Sequence, residues 1–455
     1  MTSNGHSSAP VRPGLTLAAA LLGFFMITLD AVVVNVALPT MGEDLSADMS
    51  GLQWVVDSYT MVFAALLLSA GVISDRIGAR GAFGMGVVLF MLSSLVCGLA
   101  PDIHTLVAAR FVQGAGAAVM MPSSMSLIRH AYHDPVARGR AVAYWALGGS
   151  VAATSGPVVG GLLTLLNWRW IFFINLPVCL VTFLFLARAA HSPQRTAPFD
   201  LWGQLTAVLT MGALTFGAIE AGEAGLADPR VWGAFIVAAC SLGGFVWGQR
   251  RARHPMMPPE LFRVRNVVIS VVVGFTFMFG YFGLPFVMSL YLQQLRGLSA
   301  LQTGLSFLPM MLIGLVLTPF SARIVERFNP KNVIFWGLVS MALGLLSLVI
   351  FTDEVPVWGI AALMGLVGLG GPLIAPPIAA VLLGSVPVTL VGTASGVFNT
   401  SRQVGGALAV AIFGALLTQP FGFVNGMRAS LVLATIVAVA TACLSLRLEH
   451  GKRDA

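Results

Sequence analysis

Four charged side chains lie where a polar group is expensive. Asp30, Asp57, Arg110 and Arg402 each sit inside a long apolar stretch. A charge at bilayer depth costs several kcal/mol, so it is kept for function or neutralised by a partner. Asp30 stands in ITLDAVVVNVALP, past the middle of the first stretch, and Asp57 in QWVVDSYTMVF, near the start of the second. Hydrocarbon disfavours the charged form of a carboxylate, so each is a group that can load a proton on one side of a membrane and release it on the other. The alternative for Asp30 is a structural hydrogen bond to a neighbouring helix; for Asp57 it is simple solvation near the interface. Arg110, in AARFVQGAGAAVMMP, reads as a charge neutralised by a carboxylate or as part of a proton and gating device. Arg402 reads equally as a structural charge near the end of its stretch.

Two further patterns carry mechanics rather than chemistry. In GVISDRIGARG, the small Gly71 allows close helix approach. Asp75, Arg76 and Arg80 form a charge cluster that can latch one conformation, by pairing or by capping a helix C-terminus. Its bland alternative is to fix membrane orientation. Further on, Gly148-Gly149, Gly156-Pro157 and Gly160-Gly161 punctuate a single apolar stretch. Proline inside a helix removes a backbone bond and kinks it, and glycines permit tight packing.

The elements that must hold these residues follow from composition. Of 455 residues, 57% are hydrophobic and 9% charged, against roughly 25% charged in a soluble domain. The mean hydropathy of +0.89 comes from separate stretches of about 20 residues, the length that spans a hydrocarbon core. Fourteen such helices are expected, at 15–38, 52–74, 82–100, 104–128, 137–163, 168–188, 201–219, 230–248, 266–292, 301–322, 332–351, 357–382, 391–416 and 427–446. With both termini cytoplasmic, nineteen of the twenty-five Lys and Arg residues fall inside, four outside (Arg169, Arg230, Arg296, Arg428) and two within spans. That asymmetry is a strong positive-inside signal, with a bacterial cytoplasmic (inner) membrane as the expected location. It also excludes nucleic acid as a partner, because the net charge of +7 is dispersed over short loops.

The chain repeats itself. SDRIGARG at 74–81 superposes on VERFNPKN at 325–332 with an offset of 251, which sets Asp75 on Glu326, Arg76 on Arg327 and Arg80 on Lys331. The same offset sets Gly23-Phe24 on Gly274-Phe275 and Asp30 on Tyr281, and TSGPVVGG at 154–161 resembles TSRQVGGA at 400–407. Ordered matches of this kind argue for two homologous six-helix bundles. The expected division is a cytoplasmic tail at 1–14, a first bundle at 15–190, two additional central helices with linkers at 191–255, a second bundle at 256–446 and a cytoplasmic tail at 447–455.

These residues resemble a known family, the fourteen-helix drug:proton antiporters of the major facilitator superfamily, which includes methylenomycin-resistance-type exporters. GVISDRIGARG resembles the superfamily's loop signature, AARFVQGAGAA its fourth-helix motif, and Gly156-Pro157 with Gly160-Gly161 its antiporter motif. LDAVVVNVALP resembles the first-helix signature of the fourteen-helix branch, and HPMMPPELFRVRN its stretch before the ninth helix. The resemblance implies an all-α polytopic membrane protein of the major facilitator fold. It implies proton-coupling roles for Asp30, Asp57 and Arg110, and gating roles for Gly71, Asp75, Arg76, Arg80, Glu326 and Arg327. Val32 departs from the family pattern, which has Thr there. The second bundle has no acid buried in its spans, a departure that favours neutral, zwitterionic or monovalent cargo over dications.

The function expected is proton-coupled efflux of small hydrophobic drug-like compounds by alternating access, from a monomer in the lipid bilayer. No cofactor is called for, since the proton gradient supplies the energy. GxxxxGK[ST] is absent, and the cytoplasmic loops are too short for a nucleotide-binding domain. A proton-coupled importer or a metabolite exporter on the same fold are the alternatives. A membrane enzyme would need clustered His, Cys or acids that the sequence lacks. Cys97, Cys179, Cys240 and Cys443 all fall in apolar stretches and read as packing residues, with no metal site or disulfide. Trp54, Tyr59, Trp145, Phe282 and Tyr291 are candidates to line a cavity.

Overall fold

A computed structural model describes residues 13–449 apart from 190–198, 254, 353, 388 and 389. His254 of the HPMMPPELFRVRN stretch, the 190/191 boundary and most of both tails lie outside the described residues. Within them the chain is helical and no strand is present. The helices are α1 (Pro13–Asp44), α2 (Met49–Ile77), α3 (Ala79–Leu99), α4 (Ile103–Ala131), α5 (Pro135–Leu166), α6 (Trp170–Phe173), α7 (Asn175–Leu186), α8 (Leu201–Glu223) and α9 (Pro229–Arg251). They continue as α10 (Arg265–Leu290), α11 (Ala300–Ser306), α12 (Leu308–Leu317), α13 (Ser321–Phe328), α14 (Pro330–Phe351), α15 (Val357–Gly368), α16 (Gly370–Gly384), α17 (Val391–Leu417) and α18 (Phe423–Ser445).

The scarce loop acids begin the helices. Asp48, Asp102, Asp134, Asp200 and Asp228 each accept a backbone N–H in the first turn of α2, α4, α5, α8 and α9, at 2.7–2.8 Å. Such caps satisfy amides that hydrocarbon would otherwise leave orphaned. The repeat inferred from the sequence extends to the backbone. Left-handed φ angles occur at Ser46 and Gly297 and at Gly78 and Asn329, both pairs 251 residues apart. Asp48 and Ser299, at the same offset, cap α2 and α11.

Among the described residues, twelve helices are long and apolar enough to cross a membrane, or thirteen when α2 is taken across its bend between Leu67 and Ser69. The segment Trp170–Leu186 is apolar but shorter, so the expected count of fourteen is not reached on length and composition. The reason is local. Trp168 Nε1 and the Arg169 guanidinium both donate to Asp44 Oδ2, at 2.8 and 2.6 Å. The residues expected to open the sixth span instead form a turn locked to the end of α1.

The two bundles, α1–α7 and α10–α18, meet most tightly at the end that carries the α1–α2 turn. There Gln53 of α2 donates to the carbonyls of Val410 and Ala411 of α17 at 3.2 and 2.7 Å, and Gln293 donates to Val36 of α1 at 2.9 Å. On the opposite seam α5 meets α11 through glycines. A methyl added at Gly161 would lie 2.6 Å from Leu301 Cα, and one at Gly304 only 2.1 Å from the Pro157 carbonyl oxygen. Toward the other end, added methyls at Gly71, Gly139 and Gly392 would meet nothing within 4 Å. Helix α8 lies along the α2/α17 seam: Gln204 Nε2 donates to the Ala65 carbonyl at 2.9 Å, Ser69 donates to Gln204 Oε1, and Thr418 of α17 donates to the Gly222 carbonyl at 2.8 Å.

Candidate functional site

Asp30 and Arg110, distant in sequence, form an ion pair with relative exposures of 0% and 1%. Around them α1, α2, α3, α4 and α7 supply one connected polar network. Gln113, one turn beyond Arg110, accepts from Arg110 Nη1 at 2.8 Å and donates to Asp30 Oδ1 at 2.9 Å and Ser94 Oγ at 2.9 Å. Asn175 Nδ2 donates to Asp30 Oδ1 at 3.1 Å, and Arg110 Nε to the Val55 carbonyl at 3.0 Å. The guanidinium lies 4.3 Å above the Tyr59 ring, whose hydroxyl is tied to the Ile27 carbonyl. Asp30 thus accepts from three donors, which suits an ionised carboxylate. The cost of its burial is met by a cation and two amides from other helices, and it faces α3, α4 and α7 inside its own bundle.

Asp57 is the opposite case. It is fully buried, and neither carboxylate oxygen has a hydrogen-bond partner among the described residues, so it is not merely solvated at an interface. It stands one helical turn beyond Gln53, on the stretch of α2 that runs along α17 and α8. No hydrogen bond joins it to the Asp30 network.

The residues expected to gate lie in the last turns of α2 and α13 and at the start of α3. Asp75 and Arg76 are exposed, as are Glu326 and Arg327 in the second copy. Arg80 donates to the carbonyls of Ala187 and Ala189, at 2.9 and 3.1 Å, just beyond the end of α7, the C-terminal capping expected of a basic residue there. Gly71 corrects the expectation of close helix approach. An added methyl there would meet nothing within 4 Å. The antiporter glycines are crowded: added methyls at Gly156 and Gly160 would lie 2.9 and 2.7 Å from Val32 and Val33 of α1. Gly161 faces α11 across the seam. Pro157, inside α5, presents its carbonyl to Gly304.

Arg402, on α17, is the remaining charge. Among the described residues its guanidinium reaches Asn399 Oδ1, at 3.5 Å, and lies over the Phe398 ring, 5.8 Å from its centroid. Its Nε is buried without a partner, and no ion pair to it is present among the described residues. Of the candidate cavity aromatics, Tyr59 covers Arg110, Trp145 stacks on Phe24 at 3.9 Å, and Tyr291 is buried beside Arg296. Cys97 and Cys179 are buried as expected of packing residues, whereas Cys240 and Cys443 are exposed on the outer helix surfaces. Gln53, Ser94, Gln113 and Asn175 were not anticipated. Their only signal is a polar side chain inside an apolar span.

The family model of the Major Facilitator Superfamily matches residues 20–410. The chain is a member of the major facilitator superfamily. It is therefore a multi-pass membrane transporter and not an enzyme. It is 37% identical over 406 residues to the multidrug resistance protein Stp of Mycobacterium tuberculosis, covering 89% of this chain and 75% of that protein. It is 35% identical over 425 residues to the methylenomycin A resistance protein of Streptomyces coelicolor, covering 92% and 89%. The tetracenomycin C resistance and export protein of Streptomyces glaucescens is 32% identical over 433 residues, covering 90% and 77%. Among solved structures, the fold resembles a D-xylose-proton symporter with TM-score 0.69 at 15% identity, covering 97% and 98% of the two chains. It also resembles a POT family transporter with TM-score 0.71 at 14% identity, covering 95% and 96%.

Proposed function

We propose that this facilitator exports hydrophobic drug-like compounds across the bacterial inner membrane in exchange for protons. The relatives named for multidrug, methylenomycin and tetracenomycin resistance support the cargo class. The positive-inside asymmetry supports cytoplasmic termini, and we take the cleft between the bundles to open at that cytoplasmic end. Cargo enters there from the cytoplasm or inner leaflet, and the bundles rock about the centre to expose it outside.

The observation that carries proton coupling is the contrast between two buried carboxylates of one bundle. Asp30 is bonded as an anion to Arg110, Gln113 and Asn175. Asp57 is buried with no partner, an arrangement far less costly for a neutral acid than for a charge. In the inward-facing state Asp30 has given up its proton and Asp57 retains one. Outward opening parts α2 from α17 beside Gln53 and gives Asp57 access to external water. Linkage then requires cargo and proton to favour opposite states. Each charge moved across the membrane potential adds about 2.3 kcal/mol per 100 mV. Gly71 and the Asp75, Arg76 and Arg80 cluster, with Glu326 and Arg327, come together when the cytoplasmic end closes. The glycines at 156, 160 and 161 act as the hinge and seal on the α5 side.

The test is purified protein in liposomes loaded with a hydrophobic fluorescent dye, beside a drug-sensitivity panel in a pump-deficient host. Dye movement should follow an imposed pH difference, and expression should protect the host. Dye transport at equal rates with and without pH difference and voltage would refute coupling. Accumulation in the direction of the proton would favour an importer.

A further inference from the structure

Among the described residues of the second bundle, Arg402 is the charge at mid-span, and no acid there pairs with it. Arg402 stands twelve residues into α17, whose 27 residues make it a central rather than a terminal position. Its Nε is buried and unbonded, its only side-chain contact to an acceptor is Asn399 at 3.5 Å, and the buried acids among the described residues, Asp30 and Asp57, belong to the other bundle. Arg402 as a whole is partly exposed, and an unpaired cation at membrane depth is kept where water or an anion from outside the protein reaches it.

The direction of the side chain follows from the packing of α17. One stripe, with Thr400, Ala411 and Gly414, rests on α2 at Ala64 and Gln53. A second, with Phe398, Ser401, Gly405 and Ala409, rests on α10 at Gly274, Val271, Phe275 and Gly283. At about 100° per residue, Asn399, Arg402 and Gly406 occupy the arc between those stripes. Since α2 and α10 belong to different bundles, that arc faces the cleft between them, and Gly406 meets Phe282 of α10 there. The Arg402 stem lies along Gly274.

We propose that Arg402 is the cargo-binding cation of the cleft. It selects amphiphilic compounds with a carboxylate or comparable anionic group beside an aromatic body, the anion on the guanidinium and the body against Phe398 and Phe282. This deepens the export reading above by naming its substrate class. A guanidinium accommodates a carboxylate bidentately and stacks on aromatic faces, so one residue serves both parts of such a molecule.

The test uses equilibrium binding to the purified full chain in detergent at neutral pH, read by energy transfer from tryptophan to three matched probes: 1-pyrenebutyrate, its methyl ester and 1-pyrenebutylamine. Wild type should bind the carboxylate about tenfold or more tighter than the ester, the usual worth of a charge-assisted hydrogen bond, and bind the amine no better than the ester. Arg402→Gln should bind all three alike, with ester affinity unchanged. Arg402→Lys keeps the charge without the fork, so it should retain a reduced preference for the carboxylate and serves if the Gln variant does not fold. Equal binding of the three probes by wild type, or a carboxylate preference that survives Arg402→Gln, overturns the proposal. Because no gradient is present, a wild-type preference found alongside gradient-independent transport would sink proton coupling and leave this site standing.

Discussion

Asp30→Asn, alone and combined with Arg110→Gln, separates a proton carrier from a structural ion pair. In the native network Asp30 Oδ2 accepts from Arg110 while Oδ1 accepts from both Gln113 and Asn175. An asparagine there turns its amide toward one side or the other, so a donor confronts a donor in either rotamer. Arg110, 1% exposed, then has no anion. Removing one member of a buried pair costs about 3–5 kcal/mol, which at about 1.4 kcal/mol per decade is a hundredfold to a few thousandfold. The single variant should therefore unfold at lower temperature and lose transport driven by a pH difference. Replacing both charges is a different perturbation, because exchanging a whole buried pair for neutral groups is close to neutral in stability. The double variant should recover thermal stability, measured by tryptophan fluorescence, yet show no gradient-driven dye movement in inverted vesicles, since no group at position 30 can release a proton. Restored gradient-driven transport in the double variant would refute the reasoning and reduce the pair to scaffolding.

Further outcomes follow from the seams. Gly304→Val places side-chain atoms against the backbone oxygen of Pro157, where an added methyl already comes to 2.1 Å. It should force the bundles apart at their tight end, raising the labelling of a cysteine introduced at Ala300 by a membrane-impermeant maleimide added outside. Gly71→Leu meets open space in the inward-facing state, so binding of cargo should persist while turnover falls at least tenfold, as closure of the cytoplasmic end is obstructed; unchanged turnover would exclude contact at Gly71 in the other state. Gln204→Leu removes the bonds from α8 to Ala65 and Ser69. If α8 moves with α2 during rocking, a disulfide between cysteines placed at Gly222 and Ala415 should arrest transport in wild type and much less in this variant.

The charges were the legible part of the site. In 455 residues with 9% charged, a carboxylate or guanidinium inside an apolar stretch stands out, and Asp30, Asp57 and Arg110 are buried as that logic requires. Their partnerships were not legible. Gln113, Ser94 and Asn175 are neutral residues that membrane helices tolerate for many reasons, and no pattern in one sequence tells that position 175 meets position 30. The loop repeat was read correctly because a tight turn demands particular residues: Gly78 and Asn329 both take left-handed φ, and glycine and asparagine are the residues that do so at least cost. Gly71 was misread because a small residue signals a close approach without saying in which conformation it is made. The sixth span came out short because Trp168 and Arg169 serve Asp44, a contact across the bundle that hydropathy cannot see.

The two seams differ in a way that bears on mechanism. Between α5 and α11 the bundles touch backbone to backbone through Gly161 and Gly304, a contact that can part and reform without breaking a polar bond. Between α2 and α17 they are joined by Gln53, which donates to two carbonyls above Gly414, and are covered by α8, bonded to α2 at one end and α17 at the other. Opening the second seam therefore breaks buried hydrogen bonds one helical turn from Asp57, whereas the α5 side carries the longer Thr154–Met311 bond, at 3.5 Å. On the proposed coupling, a proton arriving at Asp57 and a bundle parting at Gln53 are the same event seen from two residues, since the acid lies one turn from the bonds that hold this seam.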